Sequence, residues 1–138
     1  MTGQLATLSM AESDGVPVAS VTGEIDLTNV AELGERIARG VPNGALGLVV
    51  DLERTSFLDS AGLRLLFQLA RRLERRGQQL RIAVPDNAVI RKALDVAEVP
   101  RVAVVNGSVH DAVADLLAQS AGTSGPAPPS GQTPKPAR

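Results

Sequence analysis

The chain has 138 residues, 43% hydrophobic and 21% charged, with a formal net charge of -1; this suits one soluble domain with a real core and gives no global attraction to nucleic acid or to an anionic membrane. It contains no Cys, Trp or Tyr and one histidine, His110, which excludes disulfides, thiolate catalysis, Cys or His metal clusters and aromatic platforms that stack on bases. The N-terminus has no charged region followed by an apolar run, and no stretch approaches about 18 consecutive apolar residues, so the expected location is the cytoplasm.

Leu5 to Met10 and Val16 to Thr22 carry β-branched and apolar residues on either side of Ser13-Asp14-Gly15, a turn signal that predicts a β-hairpin. Pro17 has no N–H for a ladder, so it belongs at an edge or at the start of its strand. Gly23-Glu24-Ile25-Asp26-Leu27-Thr28-Asn29 reads as a polar loop. Asn29 as N-cap, with Glu32 three residues on as its capping-box partner, opens a first helix expected over Asn29 to Val41, with Val30, Leu33, Ile37 and Val41 at helical spacing.

Leu46 to Leu52 is a continuous apolar run, the mark of a strand covered on both faces. A short loop then leads to Asp59-Ser60 and a second helix over Ser60 to Arg76, closed by Gly77. At about 100° per residue, Leu63, Leu66, Phe67, Ala70 and Leu73 converge on one side and Arg64, Gln68, Arg71, Arg72 and Arg75 on the other. Leu65 falls off the apolar stripe, as an ordinary exposed leucine or as a partner contact. The arginine face is either solvated or suited to an acidic surface on a partner.

Gln79 to Val84 is a further strand, and Pro85-Asp86-Asn87 restarts the chain into a helix with Val89, Ile90, Ala93, Leu94 and Ala97 on one stripe. Arg101 to Val105 is the last strand. Ser108 to Gln119 is the last helix, with Val109, Val113, Leu116 and Leu117 inward. The order ββαβαβαβα predicts a single α/β domain over residues 1–120, built on a mostly parallel four- to five-stranded sheet with an N-terminal antiparallel hairpin. Residues 121–138, rich in Pro, Gly and Ser, have little to bury and are expected to be a disordered tail, with Pro126 to Pro129 as a polyproline ligand the alternative.

Ser60 sits where backbone N–H groups are free at the start of the second helix. It is either an N-cap, accepting a hydrogen bond from the first turn, or a place where an added phosphate meets unpaired donors and the positive end of the helix dipole. Spacing alone does not choose.

Phe57-Leu58-Asp59-Ser60-Ala61-Gly62-Leu63, preceded upstream by Gly23-Glu24-Ile25-Asp26, resembles the signature of STAS domains, specifically the bacterial anti-sigma factor antagonists, over residues 5 to 118. The resemblance implies the same fold. It also implies that Ser60, directly after the motif aspartate, is phosphorylated by a partner anti-sigma factor that is a serine kinase and is restored by a serine phosphatase. The unphosphorylated form would bind that partner and release its sigma factor. On the same resemblance Asp26, Asn29, Asp59, Ala61, Gly62 and Leu65 surround the phosphosite or the docking surface. Asp26 and Asp59 orient the hydroxyl or the kinase's Mg²⁺, or Asp59 only supports the helix start. Family members often have Thr where Asn29 stands, and Ser or Thr where Ala61 stands, which leaves Ser60 as the single acceptor there. The resemblance implies no cofactor for this chain, since ATP belongs to the kinase.

Enzyme readings find little support. Leu58 stands two residues before Ser60, so no Gly-x-Ser-x-Gly elbow exists, and His110 lies far along the chain. Asp51 at a strand end suggests a phospho-accepting aspartate, but the first strand ends without an acidic pair and Gln79 to Val84 is followed by Pro85, not Lys. Neither Gly-x-x-x-x-Gly-Lys nor Gly-x-Gly-x-x-Gly occurs. The alternative of a different class is a constitutive, non-catalytic STAS scaffold in a stress-signalling, transporter or lipid-transport assembly.

Overall fold

Two residues with positive φ, Asp14 at 52° and Gly15 at 83°, make the tight turn that the right-handed twist of paired strands requires. They join β1 (Ala6–Ser13) to β2 (Val16–Ile25), and the pairing closes at Ser13 opposite Val16. Pro17 is the second residue of β2 and precedes the pairing with the next strand, which begins at Val18. The computed structural model describes residues 6–123; residues 121–123, expected to begin the tail, continue the last helix, and the rest of the expected tail lies outside the described residues.

The chain continues through α1 (Val30–Arg39), β3 (Gly47–Leu58), α2 (Ser60–Arg75), β4 (Gln79–Ala83), α3 (Val89–Val96), a 3₁₀ turn at Val99–Arg101, β5 (Val104–Asn106) and α4 (Val109–Thr123). The order ββαβαβαβα is as predicted. The five strands lie in sequence order, antiparallel between β1 and β2 and parallel from β2 to β5. Right-handed crossovers that always step in the same direction must place α1, α2 and α3 on one face. That face holds the larger core, in which Ile25, Ile37, Leu52, Leu66, Ile82 and Leu94 meet. α4 follows the last strand and covers the other face over Val16, Val18, Val49 and Ala83. Glu53 Oε2 accepts the Val109 N–H at 3.0 Å, and Ser108 Oγ accepts the Asp111 N–H at 3.1 Å, so β3 and the chain itself cap α4. Arg81, 2% exposed, faces α4 and donates to Asp115 at 2.8 Å.

Several boundaries differ from expectation, each for a physical reason. β2 runs on to Ile25 and β3 to Leu58, through residues that read as loops. Beyond Asp51 β3 has lost β4, which ends at Ala83, and pairs only with β2. A strand with one neighbour carries polar side chains at little cost, and here only Leu52, Thr55 and Leu58 stay buried. Thr55 Oγ1 donates to the Val21 carbonyl at 2.8 Å. The last strand does not start at Arg101: Glu98 adopts a left-handed conformation with φ 63°, Pro100 favours a helical turn, and fully buried Val99 anchors the 3₁₀ segment. Val89 is 86% exposed and lies outside the α3 stripe, which Ile90 and Leu94 carry.

Candidate functional site

At the carboxyl end of β2 and β3 the chain makes two turns side by side, one into α1 and one into α2. Asp59 joins them. Its backbone N–H donates to the Ile25 carbonyl at 3.2 Å. Its backbone is extended, as a cap requires, and its side-chain Oδ1 accepts the Gly62 N–H at 2.9 Å. Oδ2 accepts the Leu27 N–H at 3.1 Å, so both carboxylate oxygens are fixed.

With Asp59 as the cap, Ser60 is not one. It is the first residue of α2, exposed, and its hydroxyl makes no hydrogen bond among the described residues. The first backbone bond of the helix runs from Leu63 N–H to the Asp59 carbonyl at 3.0 Å, which leaves the amides of Ser60 and Ala61 open at the positive end of the helix.

The loop before α1 is held from within. Asp26 Oδ1 accepts from the Thr28 N–H at 2.9 Å and from its hydroxyl at 2.5 Å. Asn29, 5% exposed, accepts the Asp26 N–H at 3.0 Å and donates to the Glu24 carbonyl at 2.9 Å. This corrects the expected capping box: Asn29 makes no side-chain bond into α1, because its amide spans the loop behind it, a task that needs both a donor and an acceptor. Asp26 and Asp59 thus stand on loops tied through Leu27, and no hydrogen bond joins Asp26 to Ser60.

The remaining predicted residues divide by burial. Ala61 is half-buried. Gly62 is buried where α2 passes closest to the sheet: a Cβ there would stand 2.9 Å from Leu58 Cδ2 and 3.1 Å from the Ile25 carbonyl oxygen, so this is a close-approach glycine. Leu65, expected off the apolar stripe, is 7% exposed. The buried arc of α2 comprises Gly62, Leu65, Leu66, Leu69, Ala70 and Leu73, with Leu63 and Phe67 half-buried at its margin. α1 is the reason: it lies along α2, and Gly34 leaves room for Leu65, whose Cδ1 would be 3.0 Å from any Cβ at that glycine. A periodicity computed for a helix on a sheet misses a neighbour on its flank.

Two exposed apolar side chains that sequence reasoning left aside lie on the segments that meet at Asp59: Leu27, 76% exposed, whose N–H bonds the Asp59 carboxylate, and Phe57, 48% exposed, two residues before Asp59. The signal for Leu27 was a leucine inside an otherwise polar loop. For Phe57 it was strand alternation, since Leu58 beside it is buried. Among the described residues no group of His, Cys, Asp and Glu could hold a metal ion, and no helix is long and apolar enough to cross a membrane.

The profile of the STAS domain family matches residues 7–113. The chain is similar to the anti-sigma-F factor antagonist RsfB of Mycobacterium tuberculosis, 33% identical over 108 residues that cover 78% of this chain and 86% of that one. It is also similar to the putative anti-sigma factor antagonist BtrV of Bordetella bronchiseptica, 33% identical over 66 residues, 48% of this chain and 57% of that one. Among solved structures, an anti-sigma factor antagonist from Mycobacterium paratuberculosis superposes with a TM-score of 0.72 at 26% identity, over 81% of this chain and 94% of that one.

Proposed function

From the premise that this chain belongs to the STAS domain family, we propose that it is an anti-sigma factor antagonist that docks on an anti-sigma factor around Ser60 and is switched off when that serine is phosphorylated. The observation that carries this is the division of labour at the start of α2: Asp59 does the capping, and the exposed Ser60 hydroxyl is left with no structural task. In the unphosphorylated form, Leu27 and Phe57, exposed on the two segments that meet at Asp59, supply apolar anchors and the serine carries no charge. Asp26, Asn29, Ala61, Gly62 and Leu65 shape that surface from behind or beside it.

Phosphorylation adds roughly -1.5 to -2 charges at one point. The open amides of the helix start tolerate the phosphate within the chain. Asp59 cannot turn away from it, since both of its oxygens are held, at 2.9 and 3.1 Å. A docked partner would therefore have to desolvate two adjacent anionic groups, and binding is lost without unfolding. The chemistry belongs to the partners, a serine kinase that is the anti-sigma factor and a serine phosphatase, and this chain works as a cytoplasmic binding switch.

The test is intact-mass spectrometry with site mapping after incubation with ATP and the anti-sigma kinases encoded in the same genome. One phosphate on Ser60, absent from Ser60→Ala, is the expected result. A kinase that binds the chain yet leaves Ser60 unmodified would turn the assignment toward a constitutive scaffold.

A further inference from the structure

Behind Ser60 the outer face of α2 presents Arg64, Gln68, Arg71 and Arg75 at successive steps of four, four, three and four residues. Such steps keep side chains on one line along a helix, here about 22 Å long at 1.5 Å per residue. Arg72 flanks the line. All of these side chains are exposed, and no ion pair among the described residues holds Arg64, Arg71, Arg72 or Arg75. A face kept only for solubility would alternate its charges, as α1 does with Glu35 and Arg39, 3.6 Å apart. Instead Arg71 with Arg75, and Arg72 with Arg76, are like-charge pairs at i,i+4, which weaken a helix. The clustering does not follow from general basicity either, because the chain is net negative.

Resting on the assignment of the Ser60 end to anti-sigma docking, we propose that this arginine row is the second half of the same interface and takes an acidic helix or loop of the anti-sigma factor. The row is continuous with the Ser60 site, since Ser60 is four residues before Arg64 and on the same line. A phosphate on Ser60 is one turn from the Arg64 guanidinium and would pair with it, removing the head of the row from the partner. A narrow acidic segment fits a single row better than a broad polyanion does. Glu35 shares a groove with Gln68 and Arg72, and Glu74 lies beside Arg71 in another, so a membrane or duplex would meet carboxylates on both flanks.

The experiment measures association and dissociation rates of the full chain with the anti-sigma factor that binds it, from low to high salt, for wild type, Ser60→Asp, Arg71→Glu, Arg75→Glu and Lys92→Glu. Lys92 is an exposed cation on a different helix, α3, and controls for net charge. Arg71→Glu and Arg75→Glu should each slow association by about tenfold at low salt, with little change in dissociation and a flatter salt dependence, while Lys92→Glu has a much smaller effect. Row variants indistinguishable from Lys92→Glu, with Ser60→Asp still weakening the complex, overturn the inference alone. A silent Ser60→Asp overturns the functional assignment and the inference with it. Row variants that instead lose binding to phosphatidylserine vesicles or to duplex DNA, with anti-sigma association unchanged, assign the row to a different partner and overturn the proposal.

Discussion

Asp59 does two jobs with one carboxylate, and each is separable by substitution. Asp59→Ala removes the acceptor for the Gly62 N–H and should cost about 1 kcal/mol, the usual value of an N-cap, read from urea unfolding at constant m. Asp59→Asn keeps one acceptor oxygen for the Gly62 N–H but turns its NH₂ toward the Leu27 N–H, so it should recover only part of that stability. Because Asp59→Asn also removes the charge beside Ser60, its phosphorylated form should bind the anti-sigma factor more tightly than phosphorylated wild type. An Asp59→Ala protein as stable as wild type would show that the cap contributes nothing. Gly62 stands for the opposite kind of residue. Its role is to be absent, and Gly62→Ala should cost roughly 1–3 kcal/mol by overpacking against Leu58 and Ile25.

Helix α2 carries the largest gap between what its sequence announces and what its surroundings require. Its start and length were legible, because Asp59-Ser60 marks a cap and Gly77 a stop, and the helix runs Ser60–Arg75. Its buried side was only partly legible. Periodicity oriented it on the sheet through Leu66, Ala70 and Leu73, yet Leu65 is buried by α1, a contact between segments far apart in sequence. Leu65→Ala should therefore cost about 3 kcal/mol by thermal or urea unfolding, a loss that a surface leucine would not produce. An effect within about 0.5 kcal/mol would return Leu65 to the surface. The same limit explains β3: its first half announces itself by apolar content, whereas Glu53, Arg54 and Ser56 look like loop residues because nothing in the local sequence tells that β4 ends early. Asn29 was legible as a residue of the α1 start but not in its bonds, which run backward to Asp26 and Glu24.

At the scale of the molecule, one sheet separates the packed frame from the proposed switch. Ser60 is exposed just past the carboxyl end of β3, while the two cores and the Arg81–Asp115 pair under α4 hold the frame. A charge placed on Ser60 is therefore expected to change the surface without touching the core. The direct measurement is the affinity of the anti-sigma factor for the purified chain with unmodified Ser60 and with phosphoserine at that position, alongside the unfolding midpoint of both forms. The phosphorylated form should bind at least a hundredfold more weakly, equivalent to about 2.7 kcal/mol, with the midpoint nearly unchanged. Equal affinity for the two forms would contradict it, and so would lost affinity accompanied by a collapse in stability.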